Sequence, residues 1–353
     1  MEEEKEKLDT HLLSARVIAE YKEAYKVKNE EGEFLAKITG KQIFEATGRE
    51  DYPAVGDFVL IIKTDREHAS IKSILPRRTI IKRKFGDKNR AGEKKDVQII
   101  ATNIDVGFVI ESVDRDFNLN RFERYFAILQ DGGVLPAIIL NKIDLLSEEE
   151  RRDRLEKLRY RFPNIDIILT SIVDNEGLND LSSYIEKDKT YCFLGSSGVG
   201  KSSLINKLIG EEIIRTGDIS DYSDRGKHTT TGRQMYFLKN GGIVIDNPGI
   251  REVGMLDISE GIDGFFEEIS SLGKKCKYAD CTHTKEPGCV VLEAKNSGMI
   301  DESKYENYTN LKKEAEYYNM SDLDKRQKNK NFGKFKNKAM KDLKNFRNNS
   351  SVV

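Results

Sequence analysis

The sequence predicts a multidomain protein in which a small N-terminal β-barrel precedes a central α/β domain and a mainly α-helical C-terminal domain. Three observations support this prediction. Short strand-like runs separated by turn residues fill residues 12–75, apolar strands alternate with helical stretches from about residue 99, and three of the four cysteines lie within fourteen residues further on. We place the barrel at residues 1–98, the α/β domain at 99–264, the helical domain at 265–320 and a basic tail, disordered in isolation, at 321–353.

The barrel prediction rests on strand-like runs at residues 15–19, 33–38 and 58–62, which are separated by Gly, Pro and charged turns. An oligonucleotide-binding (OB-like) barrel would have this size and number of strands. A barrel that binds no nucleic acid has the same pattern, so the fold alone does not assign a function to this region.

The central domain is predicted from alternating elements, with strands at 105–111, 134–140, 165–169 and 190–194 and helices near 121–130, 148–160 and 178–185. Such alternation indicates a parallel sheet with helices on both faces. Ligands of these sheets bind at the carboxyl ends of the strands. The motifs described next all lie at such ends.

The strongest motif runs from Gly195 to Ser202, directly after an apolar strand and before a predicted helix at 203–208. It has the form of a phosphate-binding loop, whose glycines let backbone N–H groups converge on phosphates at the start of a helix. Lys201 would reach the β and γ phosphates, and the Ser202 hydroxyl would bind Mg²⁺. The candidate loop residues are Gly195, Ser196, Ser197, Gly198, Val199, Gly200, Lys201, Ser202 and Ser203.

A second motif, Asn141-Lys142-Ile143-Asp144, follows the strand at 134–140 and has the form of a guanine-recognition sequence. The Asp144 carboxylate could accept two hydrogen bonds from guanine, whereas adenine lacks that donor pair. Asn141 would tether the phosphate loop, and the stem of Lys142 would lie against the base. Thr170 and Ser171, at the end of the next strand, fit a loop that places a backbone N–H near the guanine carbonyl.

Two more segments complete this predicted site. The apolar run at 243–246 ends in an Asp-x-x-Gly pattern, in which Asp246 would hold a Mg²⁺-bound water and the Gly249 N–H would contact the γ-phosphate. Within the loop at 226–231, Thr230 is our candidate to complete the coordination of Mg²⁺. A polar surface turn is the alternative interpretation of that loop.

The cysteine cluster contains Cys276, Cys281, His283 and Cys289, which together supply three sulfur ligands and one imidazole. This is a closed tetrahedral set for one structural Zn²⁺, without a vacant position for a catalytic water. Reduced cysteines grouped by chance are the alternative. The fourth cysteine, Cys192, lies within an apolar strand, where we expect a buried core residue. The segment is rich in Lys, Glu and Gly, so we expect it to have little core of its own and to depend on the metal.

The charge pattern suggests a polyanionic partner, although the formal net charge is only -1. Nine basic residues and two acids lie between Pro76 and Lys95, and ten basic residues and one acid lie between Lys325 and Arg347. Solvated surfaces are the alternative explanation. The chain has no apolar run near the roughly 18 residues of a membrane span, no secretory signal and no lipidation motif. We expect a cytoplasmic monomer that does not act at a membrane.

The order of the motifs is unusual, because guanine recognition precedes the phosphate loop. With the barrel before them and the cysteine cluster behind, these motifs resemble the circularly permuted ribosome-assembly GTPases of the RsgA (YjeQ, YloQ) family over about residues 12–320. The resemblance implies an RNA-binding barrel, a permuted P-loop GTPase domain that binds GTP and GDP, and a zinc domain. It also implies GTP hydrolysis stimulated by the small (30S) ribosomal subunit during its late maturation.

The residue after Gly249 is Ile250, where many GTPases have a Gln that orients the attacking water. Isoleucine cannot do this, so we expect slow intrinsic hydrolysis that depends on a partner. His228 is the candidate to position water, and the family resemblance supports it; a solvated loop histidine is the alternative. A second hypothesis for the whole chain is an RNA-binding module that uses GTP as a structural or regulatory ligand with negligible turnover.

Overall fold

The structure is a computed structural model that describes residues 12–22, 24–85, 96–114, 117–214, 233–246, 258–321, 323–328, 330 and 340. The predicted site residues His228, Thr230 and Gly249 lie outside the described residues, as does most of the basic tail.

The N-terminal strands form a closed five-stranded barrel. Strand β1 pairs with β2 and also, antiparallel, with β4, while β3 pairs with β5 in parallel, so the sheet closes on itself. Alternate residues such as Val17, Val59 and Ile71 point inward and are fully buried. The strands are β1 (Leu13–Glu20), β2 (Tyr25–Asn29), β3 (Gly32–Ile38), β4 (Phe58–Lys63) and β5 (His68–Ile74), with a short helix α1 (Gly40–Glu45) after β3.

A separate two-stranded ribbon follows the barrel. Strands β6 (Ile80–Phe85) and β7 (Asp96–Thr102) pair only with each other in the described part of the chain. Ile81 and Ile100 are buried in the core of the central domain, not in that of the barrel. The predicted domain boundary after residue 98 therefore lies inside β7.

The central sheet has the order β10-β9-β8-β11-β13-β12, and all its neighbouring pairs are parallel except β12 with β13. Its strands are β8 (Val106–Ser112), β9 (Leu135–Asn141), β10 (Asp166–Thr170), β11 (Thr190–Leu194), β12 (Gln234–Phe237) and β13 (Ile243–Asp246). The connecting helices are α2 (Leu119–Asp131), α3 (Glu148–Arg161), α4 (Leu178–Tyr184) and α5 (Lys201–Ile209). The alternation of strands and helices predicted from the sequence is confirmed.

The barrel and the central sheet are joined edge to edge. Ala19 of β1 pairs with Gln234 of β12, Gln234 pairs with Asp246 of β13, and Asp246 pairs with Phe193 of β11. One row of paired residues thus runs from the barrel to the strand that carries the phosphate-loop motif.

Helices α6 (Ser259–Phe265), α7 (Glu267–Gly273), α8 (Val290–Asn296) and α9 (Glu302–Asn319) make up the C-terminal region. This segment, for which the sequence predicts little core of its own, shares one continuous core with the central domain. Phe265 lies 5.4 Å from Phe126 of α2 between ring centroids, and Phe266 is fully buried. The apolar positions of the helices predict a buried face, but they do not say which surface covers it.

Among the described helices, none is both long enough and apolar enough to pass through a membrane.

Candidate functional site

The phosphate-loop motif forms the turn between β11 and α5. Gly195 and Gly200 have φ angles of 146° and 97°, in a region that residues with side chains rarely adopt. A Cβ at Gly195 would lie 2.3 Å from the carbonyl oxygen of Ile110, and one at Gly200 would lie 2.3 Å from Nδ2 of Asn141. Both glycines are therefore required by the close approach of neighbouring strands.

Lys201 begins helix α5, two residues earlier than the start predicted from the sequence. Its Nζ donates hydrogen bonds to the carbonyl oxygens of Gly195 and Ser196, at 2.7 Å each. The ammonium group is thus folded back over the loop that precedes it. Ser202 and Ser203 follow in the first turn of the helix, where free backbone N–H groups and the helix dipole favour an anion.

Asn141 connects two strand ends. Its Nδ2 donates to the carbonyl oxygen of Val199 in the phosphate loop at 2.8 Å, and its Oδ1 accepts from Oγ1 of Thr170 at 3.0 Å. Asn141 and Thr170 are fully buried. The threonine hydroxyl fixes the orientation of the amide, and the amide in turn fixes the loop.

Asp144 lies in a 3-10 turn (Ile143–Leu145) just after β9, beside the loop that follows β10. The Ser171 hydroxyl donates to Oδ1 of Asp144 at 2.6 Å. Lys142 has a left-handed backbone, with φ of 63°, and its Nζ donates to Oδ2 of Asp114 at 2.6 Å. Sequence reasoning missed Asp114, because a lone aspartate after β8 carries no motif that would single it out.

The Asp114 carboxyl is held in its charged form. Partial burial raises its pKa, but hydrogen bonds, of which that from Lys142 is the largest, together with the charge of Lys142 outweigh this effect and leave the pKa below the ordinary value of an aspartate. The charged carboxylate therefore anchors the lysine side chain beside the turn that contains Asp144.

Asp246 ends β13 and is 4% exposed. Its pairing with Phe193 places it next to the strand that leads into the phosphate loop. The structure thus gathers four of the predicted segments at the carboxyl ends of β9, β10, β11 and β13.

The cysteine cluster lies between α7 and α8. The four ligand atoms of Cys276, Cys281, His283 and Cys289 are all within 4.8 Å of one another. Sγ of Cys276 lies 3.8 Å from Sγ of Cys289, and Nδ1 of His283 lies 3.6 Å and 3.5 Å from these two sulfur atoms. A tetrahedral zinc ion with its usual bond lengths separates neighbouring ligand atoms by about 3.5 to 3.8 Å. The group therefore fits one Zn²⁺.

The imidazole of this cluster is held in place by its surroundings. A Cβ at Gly273 would lie 3.0 Å from Nε2 of His283, so the glycine makes room for the ring. The carbonyl oxygen of His283 accepts a hydrogen bond from the Tyr305 hydroxyl at 2.5 Å. Helix α9 thus fixes the backbone that presents the histidine.

The first basic block includes residues with structural roles. Arg77 makes two hydrogen bonds of 2.8 Å to the buried carboxylate of Asp57, and Arg78 pairs with Asp105 at 2.8 Å. Lys82 lies 3.6 Å from a carboxylate oxygen of Asp131. Because its guanidinium is held by the buried Asp57 carboxylate, Arg77 is not available to bind an external partner.

Comparison with known proteins agrees with this geometry. Residues 74–256 match the profile of the RsgA GTPase family. The chain is 38% identical over 335 residues to a protein named small ribosomal subunit biogenesis GTPase RsgA 1 from Bacteroides thetaiotaomicron, and the match covers 94% of this chain and 91% of that protein.

Two solved structures have the same fold. The crystal structure of YjeQ from Thermotoga maritima matches with a TM-score of 0.64 at 26% identity, covering 88% of this chain and 100% of that one. The crystal structure of YloQ, described as a circularly permuted GTPase, matches with a TM-score of 0.60 at 22% identity, covering 88% and 97%. The chain therefore belongs to the RsgA family of GTPases, which hydrolyse GTP.

Proposed function

We propose that this protein binds the small ribosomal subunit in its GTP-bound state, acts in the late maturation of the subunit, and leaves after GTP hydrolysis, which the subunit stimulates. The main structural support is that Asn141 joins the guanine-recognition turn to the phosphate loop by a hydrogen bond to the carbonyl oxygen of Val199. The relatives of this chain are named for the biogenesis of the small ribosomal subunit. We place this activity in the cytoplasm.

In this proposal the base and the phosphates are bound by different strand ends. Asp144 accepts hydrogen bonds from guanine, with Ile143 and Ser171 shaping the loops around the base. Lys201 exchanges its two carbonyl partners for phosphate oxygens, and these partners already hold the ammonium group over the phosphate loop.

Mg²⁺ fits this arrangement because the Ser202 hydroxyl lies in the first turn of α5, which follows β11, and the Asp246 carboxylate ends β13, which pairs with β11. Ser202, Thr230 and Asp246 would hold the ion, which neutralises phosphate charge when bound. Gly249 would contact the γ-phosphate, and His228 would position water, since Ile250 cannot.

The contacts with RNA are proposed for the barrel, the exposed part of the basic ribbon and the tail. Arg77 is excluded from this surface by its two bonds to Asp57. The tail carries Phe332, Phe335 and Phe346 among its lysines, and aromatic rings can stack on unpaired bases. Truncation after Asp324 should weaken subunit binding and flatten its dependence on salt, with unchanged affinity for GTP.

The test is release of phosphate from GTP by the full chain, measured alone and with small subunits, large subunits or free RNA. We expect stimulation by small subunits only, and loss of turnover in a folded Lys201→Ala variant. Tight GTP binding without turnover in any mixture would instead support the RNA-binding module that uses GTP as a ligand.

A further inference from the structure

Arg151, on the first turns of α3, contacts both loops that we assign to base recognition. Its Nε donates to the carbonyl oxygen of Ile143 at 3.0 Å. Its Nη1 donates to both carboxylate oxygens of Glu176, at 3.1 Å and 2.9 Å. Ile143 directly precedes Asp144, and Glu176 lies in the loop that follows β10.

These contacts close a ring. The carbonyl oxygen of Glu176 accepts from the backbone N–H of Ser171 at 3.0 Å, and the Ser171 hydroxyl donates to Asp144 at 2.6 Å. The ring then returns through the peptide bond between Asp144 and Ile143 to Arg151. Each residue of the ring is therefore bonded to two other members of the ring.

The loop that carries Glu176 has a constrained backbone. Gly177 has a φ of 68°, and a Cβ at this position would lie 1.8 Å from the carbonyl oxygen of Leu169. Asn175 also has a left-handed backbone, with φ of 58°. The loop thus approaches the end of β10 closely and presents the Glu176 carboxylate to α3.

The Arg151 side chain is 17% exposed, whereas its partner Glu176 is 48% exposed. Glu148, one turn earlier on the helix and 90% exposed, is a weaker ion-pair partner at 3.5 Å. The Nε bond to the carbonyl oxygen of Ile143 and the two Nη1 contacts with Glu176 hold the planar guanidinium between the two loops. Arg152, the next residue on the helix, is exposed. The matched neighbour therefore offers the same side chain without the ring.

We propose that Arg151 is a positioning residue that fastens the two base-recognition loops into one unit and so sets the lifetime of the guanine-nucleotide complex, without touching the nucleotide. This inference rests on the proposed GTP site. Loops that separate more easily release the base more readily, and effects of this kind appear mainly in the dissociation rate.

The experiment follows dissociation of a fluorescent GDP analogue from the full-length protein, chased with excess GDP. Arg151→Gln should accelerate dissociation about tenfold, and Glu176→Gln should have a similar effect. The double variant should be no faster than either single variant, because both changes open the same ring. Arg152→Gln should match the wild type.

Two further measurements separate positioning from general destabilisation. The thermal unfolding midpoint of the nucleotide-free variants should stay near that of the wild type, while the preference for GTP over ATP should fall. An unchanged dissociation rate in Arg151→Gln, or additive effects in the double variant, would overturn the inference. If the wild type itself failed to bind GDP, the proposed function would fail instead.

Discussion

The barrel and the C-terminal helices are both attached to the central domain, but by different kinds of contact. The barrel has its own apolar core, which includes Val17 and Phe34, and no residue of that core belongs to the central cluster. The C-terminal helices instead contribute residues such as Phe266 and Leu311 to the same cluster as Phe122 of α2.

The barrel contacts the central domain through polar bonds as well as through Ile18 and Val55, which are buried in the central cluster. Arg16 of β1 donates from Nη2 to the carbonyl oxygen of Asn103 at 3.1 Å and to Oγ1 of Thr190 at 2.9 Å, and burial lowers the pKa of its guanidinium to about 10. The Thr102 hydroxyl donates to the buried Asp57 at 2.7 Å. The barrel therefore has a separate core and is attached to the central domain at its surface, whereas the C-terminal helices form part of the central core.

The largest effect that would test this difference is expected for Phe266→Ala. Removing this buried ring should cost about 4 kcal/mol, from lost burial and the cavity left behind, and should destabilise the central sheet as well as the helices. Because the chain has no Trp, Tyr317→Trp and Tyr21→Trp can report separately on α9 and the barrel during urea unfolding.

The matched variant is Phe34→Ala, whose ring is buried in the barrel. It should shift the barrel signal and leave the central transition nearly unchanged. Equal shifts of both signals in both variants would contradict a separate barrel core.

Next in size is Arg161→Met, which breaks a buried ion pair inside the central domain that the C-terminal region also contacts. Nε of Arg161 donates to Glu123 at 2.7 Å, Asn307 donates to the same carboxylate at 2.5 Å, and Arg161 also pairs with Asp301. The variant leaves the Glu123 charge buried without its partner, at a cost of about 3 kcal/mol.

This loss should depend on pH. Burial raises the pKa of Glu123, opposed by Arg161, and without the guanidinium the pKa must rise further. A carboxyl whose folded pKa exceeds its unfolded pKa loses stability as pH rises between the two values, because the unfolded chain releases the proton first. Urea unfolding should therefore show a larger loss at about pH 8 than at about pH 5, and the double variant Arg161→Met with Glu123→Leu should recover much of it.

A smaller effect is expected for Arg16→Met, which removes the hydrogen bonds between β1 and the start of β11. The cost should be about 2 kcal/mol and should appear as earlier unfolding of the barrel. Hydrogen exchange would locate it: faster exchange in β1 and β4 with unchanged exchange in β9 is the expected pattern. Uniformly faster exchange would mean that the two regions unfold together.

The smallest effect on the central core is expected for Cys281→Ser. The variant should lose its zinc, of which the native chain should hold one ion, and residues of about 270–300 should loosen. Since Val291 and Leu311 belong to the core shared with the central domain and do not bind the metal, the central transition should shift by less than about 1 kcal/mol and nucleotide binding should persist. Metal analysis and GDP titration check both parts; collapse of GDP binding would show that the metal supports the shared core.

Much of the architecture could be predicted because it depends on local patterns. The strands at 134–140 and 190–194 and the glycines at 195 and 200 carry their own periodicity and turn chemistry. The ribbon β6–β7 could not be separated from the barrel, because its alternating residues look the same whichever core they enter. Pairs such as Arg151 with Glu176 could not be foreseen either, since α3 carries several arginines and only the fold selects one.

The shared core also affects synthesis of the chain. The barrel strands are complete by Ile74, so this module can fold as soon as it leaves the ribosome. Helix α2 is complete at Asp131, but Phe265, whose ring lies 5.4 Å from that of Phe126, is made roughly 130 residues later, or on the order of seven to thirty seconds at usual elongation rates. During that interval Phe126 lacks one of its aromatic neighbours, so the central domain can still bind chaperones or other nascent chains until the C-terminal helices have been made.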